Sequence, residues 1–184
     1  MIRQFHDRGE EGMVEVLTEL EADEMLRWQV VDELREATSA LEVVVPDGRF
    51  VIESAPIRDQ RGQERGVVAE GPVGTNWAGR FRLFRYEIRR WRGGTIPDAS
   101  EAVSSPVRVA NDLGRAQRVL DLVPSIPTPV WGRDELHTGD MWNSNSLISW
   151  LLVRAGVDTD PLQPPPGGRA PGWDSGLFVA RGGV

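Results

Sequence analysis

The chain has 184 residues, 40% of them hydrophobic, and a formal net charge of −7, a size and composition suited to one globular domain with its own core. It contains no cysteine, and all 21 basic residues are arginine, so thiol nucleophiles, disulfides, Cys-ligated zinc, Schiff-base lysines and phosphate-loop lysines are excluded together. No apolar run approaches the roughly 18 residues of a membrane span, and the start MIRQFHDRGEEG lacks the apolar centre of a signal peptide, so the expected compartment is the cytoplasm.

The first pattern lies between Asp23 and Leu41. Leu26, Val30, Leu34, Ala37 and Leu41 recur at intervals of three and four with Glu and Arg between them, which predicts an amphipathic helix capped by Asp23. Residues 1–40 are therefore expected to form a helical arm on an α+β core of 41–160, with a packed Pro/Gly-rich tail over 161–184, all in one domain. Within the core, Pro46-Asp47-Gly48 separates EVVV from RFVIE and reads as a hairpin turn. VVAEG follows a polar loop, and the run from Arg80 to Trp91 reads as a strand. In it Phe84, Tyr86 and Ile88 form one face and Arg85, Glu87 and Arg89 the other. Phe81 and Leu83 break that alternation, which predicts a bulge or a covered start.

After the loop GGTIPDASEAVSSP, Leu113, Ala116, Leu120 and Val123 mark a helix over 111–123 that Pro124, Pro127 and Pro129 end. The last helix opens on Asn143-Ser144-Asn145-Ser146. Asn143 suits the N-cap, Gly156 the C′ position and Arg154 the negative end of the dipole. At about 100° per residue, Leu147, Ile148, Leu151 and Ala155 share the face of Ser144, while Asn145, Ser146 and Val153 point away. The PPPGGRAPGWDSGL stretch is expected to lack regular structure until about Leu177, with Trp173, Leu177 and Phe178 packing it down. The order predicts an antiparallel sheet of about five or six strands packed against helices.

Two readings of the Ser144 helix start stand side by side. In one, its hydroxyl faces the sheet beside unpaired amides and the positive end of a helix dipole, where a nucleophile or anion is favoured. In the other, the Asn and Ser side chains satisfy the helix start and do nothing else.

WNSNSLISWLL, with PTPVWGRDEL before it and PPPGGRAPGWDSGL after it, is similar to a family of actinobacterial proteins in which an Asn-Ser-Asn helix start precedes a Pro-Pro-Gly tail. RYEIRRWRGGTIPDASEAVSSP is similar to the same group, and neither likeness names an activity. More distantly, the strand-then-helix order and the Asn-Ser start resemble the circularly permuted papain-like fold of the NlpC and lecithin:retinol acyltransferase group. That resemblance implies amide or ester hydrolysis, or acyl transfer, with Ser144 in the slot of the family's cysteine. The slot holds serine, and no strand from Glu42 to Trp91 contains the family's histidine. His137 is the candidate base, Asn143 a candidate partner, and helix-start amides would hold the oxyanion.

The competing expectation is a non-catalytic protein that binds a small molecule, a peptide or an anionic partner. Trp142, Asn145 and Trp173 would line its cleft, with Trp131 and Trp150 nearby, unless the tryptophans simply fill the core. Arg85 and Arg89 belong to a strip with Arg80, Arg82, Arg90 and Arg92. The strip can seek an anionic partner or be shielded by the carboxylate-rich stretch from Asp7 to Glu42, and a solvated face is the plainer expectation. The acidic total argues against a dedicated nucleic-acid binder. His137 with Asp134, Glu135 and Asp140 lacks metal-ligand spacing, and His6 reads as a surface residue. No cofactor or metal is called for, and the oligomeric state stays open.

Overall fold

The structure, a computed structural model, describes residues 25–33, 36–57, 66–94, 107–162 and 169–183. His6 and Asp23 lie outside them. The described strands are β1 (Met25–Glu33), β2 (Glu36–Val45), β3 (Gly48–Pro56), β4 (Val67–Pro72), β5 (Arg85–Arg92) and β6 (Val107–Ala110), and the α-helices are α1 (Leu113–Leu122), α2 (Ser144–Arg154) and α3 (Trp173–Ala180). All strand pairs are antiparallel, in the order β4-β5-β3-β2-β1-β6. The α+β class holds. No helix among the described residues is long and apolar enough to cross a membrane.

The predicted helix from Asp23 to Leu41 is replaced by β1 and β2, paired from Met25 opposite Val44 to Glu33 opposite Glu36. The helical arm is thus part of the sheet over its described length. The segment reads at both periods, since Leu26, Trp28 and Val30 also alternate, and β-branched Val30, Val31, Thr38 and Val43 prefer the pleated state. Pairing with β3 on one side and β6 on the other then decides it.

The Pro46-Asp47-Gly48 turn stands as expected, with Gly48 at φ 129° in a conformation that L side chains rarely adopt. Leu41, Val43, Val45, Ile52, Tyr86 and Ile88 form the sheet's inner face, against which α1 and α2 pack through Ala116, Val119, Leu120, Leu147, Ile148 and Leu151. Asp112 caps α1, its carboxylate accepting from the Arg115 amide at 2.8 Å. Arg90 reaches from β5 to donate to the Leu120 carbonyl at 2.7 Å, close to the negative end of α1.

Two further expectations are corrected. β5 begins at Arg85 rather than Arg80, because residues 78–84 wind into two 3₁₀ turns. The tail becomes helical at Trp173, four residues before Leu177, and packs through Ser175, Gly176 and Ala180 more than through Phe178, which is exposed.

Candidate functional site

The residues around Ser144 come together in a hydrogen-bond network that joins the start of α2 to the chain leading into α3. Asn143 caps α2 as expected: its side-chain oxygen Oδ1 accepts from the Asn145 main-chain amide at 2.9 Å and the Ser146 main-chain amide at 3.4 Å, and the Ser146 hydroxyl accepts from the Asn143 main-chain amide at 3.0 Å. This is a capping box built from Asn and Ser. Gly156 ends the helix at φ 79°.

The expectation that Asn145 and Ser146 point away from the core is corrected, because every residue from Ser144 to Leu152 is buried. The sheet takes one face of α2 and α3 takes the other. Such a helix shows little amphipathic contrast, and its polar side must find partners in the neighbouring element.

Those partners are the main-chain groups that lead into α3. The Asn143 and Asn145 amide groups both donate to the Pro171 carbonyl at 2.8 Å. The Ser146 hydroxyl donates to the Gly172 carbonyl at 2.6 Å, and the Ser149 hydroxyl to that of Trp173 at 2.8 Å. From the preceding loop, the Asp140 carboxylate accepts from the Gly172 amide at 2.6 Å. The Thr138 and Ser175 hydroxyls lie 2.6 Å apart, and Ser175 donates to the Asp140 carbonyl at 2.8 Å.

Two glycines make this approach feasible. A Cβ on Gly172 would collide with the Asn143 carboxamide, and one on Gly176 with the Ser149 hydroxyl and the Ser146 carbonyl. The Asn-Ser-Asn-Ser start and Pro-Gly-Trp-Asp-Ser are thus two halves of one polar clasp. Sequence reasoning kept the halves apart. The signal that joins them is the excess of small hydroxyl and amide side chains on one helix opposite Gly172 and Gly176 on the next.

The proposed catalytic residues differ in exposure. Ser144 is 2% exposed. His137 is exposed, at φ 53° in a turn whose hydrogen bonds belong to Asp134. There the Thr138 and Gly139 amides donate to the Asp134 carboxylate at 2.8 and 2.9 Å and, the Thr138 bond foremost, hold its carboxyl below the ordinary range. Two open surface hollows, of about 450 and 360 Å³, are lined by Asp174, Leu177, Phe178 and Arg181 and by Thr75, Asn76, Arg133 and Glu135 among others. Ser144 lines neither. Among the described residues no group of three or more His, Asp or Glu side chains is placed to hold a metal ion.

The binding candidates divide between the clasp, which holds Asn145 and Trp173, the core and the far face of the sheet. Trp142 lies in the core and Trp150 is buried beside it. Trp131 packs on Tyr86 at 5.1 Å between ring centres, and Trp173 is half-buried at the start of α3. Here the core-filling alternative for the tryptophans fits.

Arg85 and Arg89 occupy the other face of the sheet, and the solvated face expected for them is corrected. Arg89 is only 6% exposed. It pairs with Glu53, its direct cross-strand neighbour, at 3.0 Å and with Glu87 at 2.9 Å, and lies over the Trp91 ring. Arg85 pairs with Glu70 of β4 at 3.0 Å. Arg85 and Arg89 are neutralised by carboxylates of β3, β4 and β5 themselves, so the two arginines singled out for an anionic partner are committed within the sheet.

A surface the sequence reading did not assign lies just before β5. Trp77, Phe81, Leu83 and Phe84 are 68, 55, 63 and 46% exposed, interleaved with exposed Arg80 and Arg82. The turns that carry them are fixed. The Val73 amide donates to the Phe84 carbonyl at 2.8 Å, the Gly74 amide to that of Trp131 at 3.0 Å, and the Ala78 amide to the Thr75 hydroxyl at 3.2 Å. Trp77 and Phe81 meet edge to face at 6.0 Å. The break in alternation at Phe81 and Leu83 was the sequence signal for this patch. No family profile, curated protein or solved structure matches the chain.

Proposed function

We propose that the protein works by binding rather than by catalysis, and that its binding surface is the apolar, arginine-flanked turn from Trp77 to Phe84. The observation that carries the reading is the exposure of four large apolar side chains within eight residues on a fixed backbone. Apolar side chains exposed singly are ordinary, whereas a contiguous group beside polar residues marks an interaction site. Arg80 and Arg82 add a preference for carboxylates, so the chemistry that fits is a protein segment in which apolar residues alternate with Asp or Glu. Full burial of an apolar side chain is worth about 1.5–3 kcal/mol. Four of them give at most about 6–12 kcal/mol, comparable with the cost of association of about 4–15 kcal/mol, which places the interaction in the weak, transient class.

The test is a fluorescence-anisotropy titration with a labelled synthetic peptide of alternating Glu, Leu and Val. Binding that weakens with salt and is lost in Leu83→Asp supports the reading. Equal binding by Leu83→Asp contradicts it.

A second reading rests on the permuted papain-like resemblance. The observation in its favour is that α2 packs on β2 and β3 with Ser144 buried at its first turn. Hydrolysis or acyl transfer at Ser144 would require the 139–143 loop to open and bring His137 from its exposed turn to the hydroxyl.

A further inference from the structure

The smaller surface hollow, of about 360 Å³, begins where the exposed turn does. Gly74, Thr75 and Asn76 line one side of it and lead directly into Trp77, and Arg133, Asp134 and Glu135 line the other. Three hydrogen bonds tie the two sides together. The Asn76 side-chain amide donates to Glu135 Oε1 at 2.9 Å, Arg133 Nε to the Gly74 carbonyl at 2.7 Å, and the Gly74 main-chain amide to the Trp131 carbonyl at 3.0 Å. The hollow and the turn are therefore neighbouring parts of one fixed surface.

The three charged side chains of the hollow are engaged to different degrees. Asp134 accepts from the Thr138 and Gly139 amides at 2.8 and 2.9 Å, and Glu135 accepts from Asn76 and, at 3.0 Å, from the Val130 amide. Both carboxylates are thus taken up by donors of the fold itself. Arg133 is exposed and bonded through Nε alone. A guanidinium carries five N–H donors in a flat fork. The Gly74 bond uses one of them and fixes the plane of the rest, which have no carboxylate partner among the described residues. A fork held in this way suits a carboxylate, which accepts two parallel N–H bonds. Asp134 and Glu135 repel an anion elsewhere in the hollow, so they confine it to the Arg133 edge.

We infer that Arg133 is a specificity-determining residue of the binding surface, and that it takes one Asp or Glu side chain of the partner segment whose apolar residues cover Trp77, Phe81, Leu83 and Phe84. The inference rests on the binding reading above and extends the same surface by one charged contact. The segment then meets Arg80 and Arg82 among the apolar side chains and Arg133 on the near side of Trp77.

Fluorescence anisotropy on the full chain tests it, with the labelled Glu/Leu/Val peptide amidated at its C-terminus so that side chains supply every carboxylate. Arg133→Gln should bind this peptide about three- to fivefold more weakly than wild type, the range of an exposed charge pair. Arg133→Lys, which keeps the charge but not the fork, should recover part of the loss. A matching peptide with Gln in place of Glu should show no such difference between wild type and Arg133→Gln, whereas a distorted turn would weaken both peptides alike. Thermal melting confirms that each variant is folded. Equal binding of the Glu peptide by wild type and Arg133→Gln overturns the inference, as does a loss that Arg133→Lys leaves unrelieved. A loss seen only with a free peptide C-terminus assigns Arg133 to a chain-end carboxylate and overturns the side-chain assignment. In each of these cases the binding reading stands if Leu83→Asp still abolishes binding, and a wild-type chain that binds neither peptide removes both.

Discussion

The Ser146 hydroxyl lies 2.6 Å from the Gly172 carbonyl oxygen and 3.0 Å from the Asn143 amide nitrogen, so one side chain closes the start of α2 and fastens α3 to it. Ser146→Ala leaves a buried N–H and a buried C=O without that partner, and is expected to cost about 1–3 kcal/mol. Gly176→Ala should cost at least as much, because the added methyl meets the Ser149 hydroxyl and the Ser146 main chain. Urea denaturation measures both. If either variant matched wild type in midpoint, the clasp would not be holding α3.

Arg89 is a cation held between two carboxylates on a buried sheet face. Arg89→Met removes the buried cation that Glu53 and Glu87 share and is expected to lower stability by about 3–5 kcal/mol. Replacing all three together, as Arg89→Met with Glu53→Gln and Glu87→Gln, should recover most of the loss because the buried charges of the cluster are removed together. Equal destabilisation of the single and triple variants would mean that packing, not charge, sets the cost.

Tyr86 is the chain's one tyrosine, fully enclosed, with its hydroxyl donating to the Pro129 carbonyl at 3.0 Å. Burial pushes its phenol far above the ordinary 10.0, only partly opposed by a hydrogen bond with Trp142. The folded pKa exceeds the unfolded one, so this contribution to stability is complete below pH 10 and is lost as pH rises toward the folded value. Absorbance at 295 nm should therefore stay flat through the ordinary phenol range and rise together with alkaline unfolding. A separate step near pH 10 in the folded protein would contradict this.

The exposed turn should be cheap to alter. Phe81→Ser and Leu83→Ser remove little buried surface and are expected to change stability by no more than about 0.5 kcal/mol, while reducing retention on a hydrophobic-interaction column. A large fall in melting temperature would show that these side chains support the fold instead.

Where one period or one cap dominated, the chain was readable: the Pro46–Gly48 hairpin, α1 with its proline stop, and the Asn143 and Gly156 limits of α2. The 23–41 stretch misled because its apolar residues satisfy both helical and alternating periods, and non-local pairing with β3 and β6 chose between them. Arg85 and Arg89 looked solvated because their partners Glu53 and Glu70 are brought close only by strand register. The clasp escaped notice because its acceptors are main-chain carbonyls of Pro171, Gly172 and Trp173, which carry no side-chain signature. Phe81 and Leu83 gave a warning by breaking the alternation, but a broken pattern does not say whether the residues are covered or exposed.

The most direct test of the account is labelling of the native protein with a fluorophosphonate, read by intact mass and by peptide mapping. If the Asn143–Ser146 start is a clasp, Ser144 stays unmodified in the native chain. A stoichiometric adduct on Ser144 that forms in the folded protein and disappears in His137→Ala would contradict the account and establish a serine centre at the head of α2.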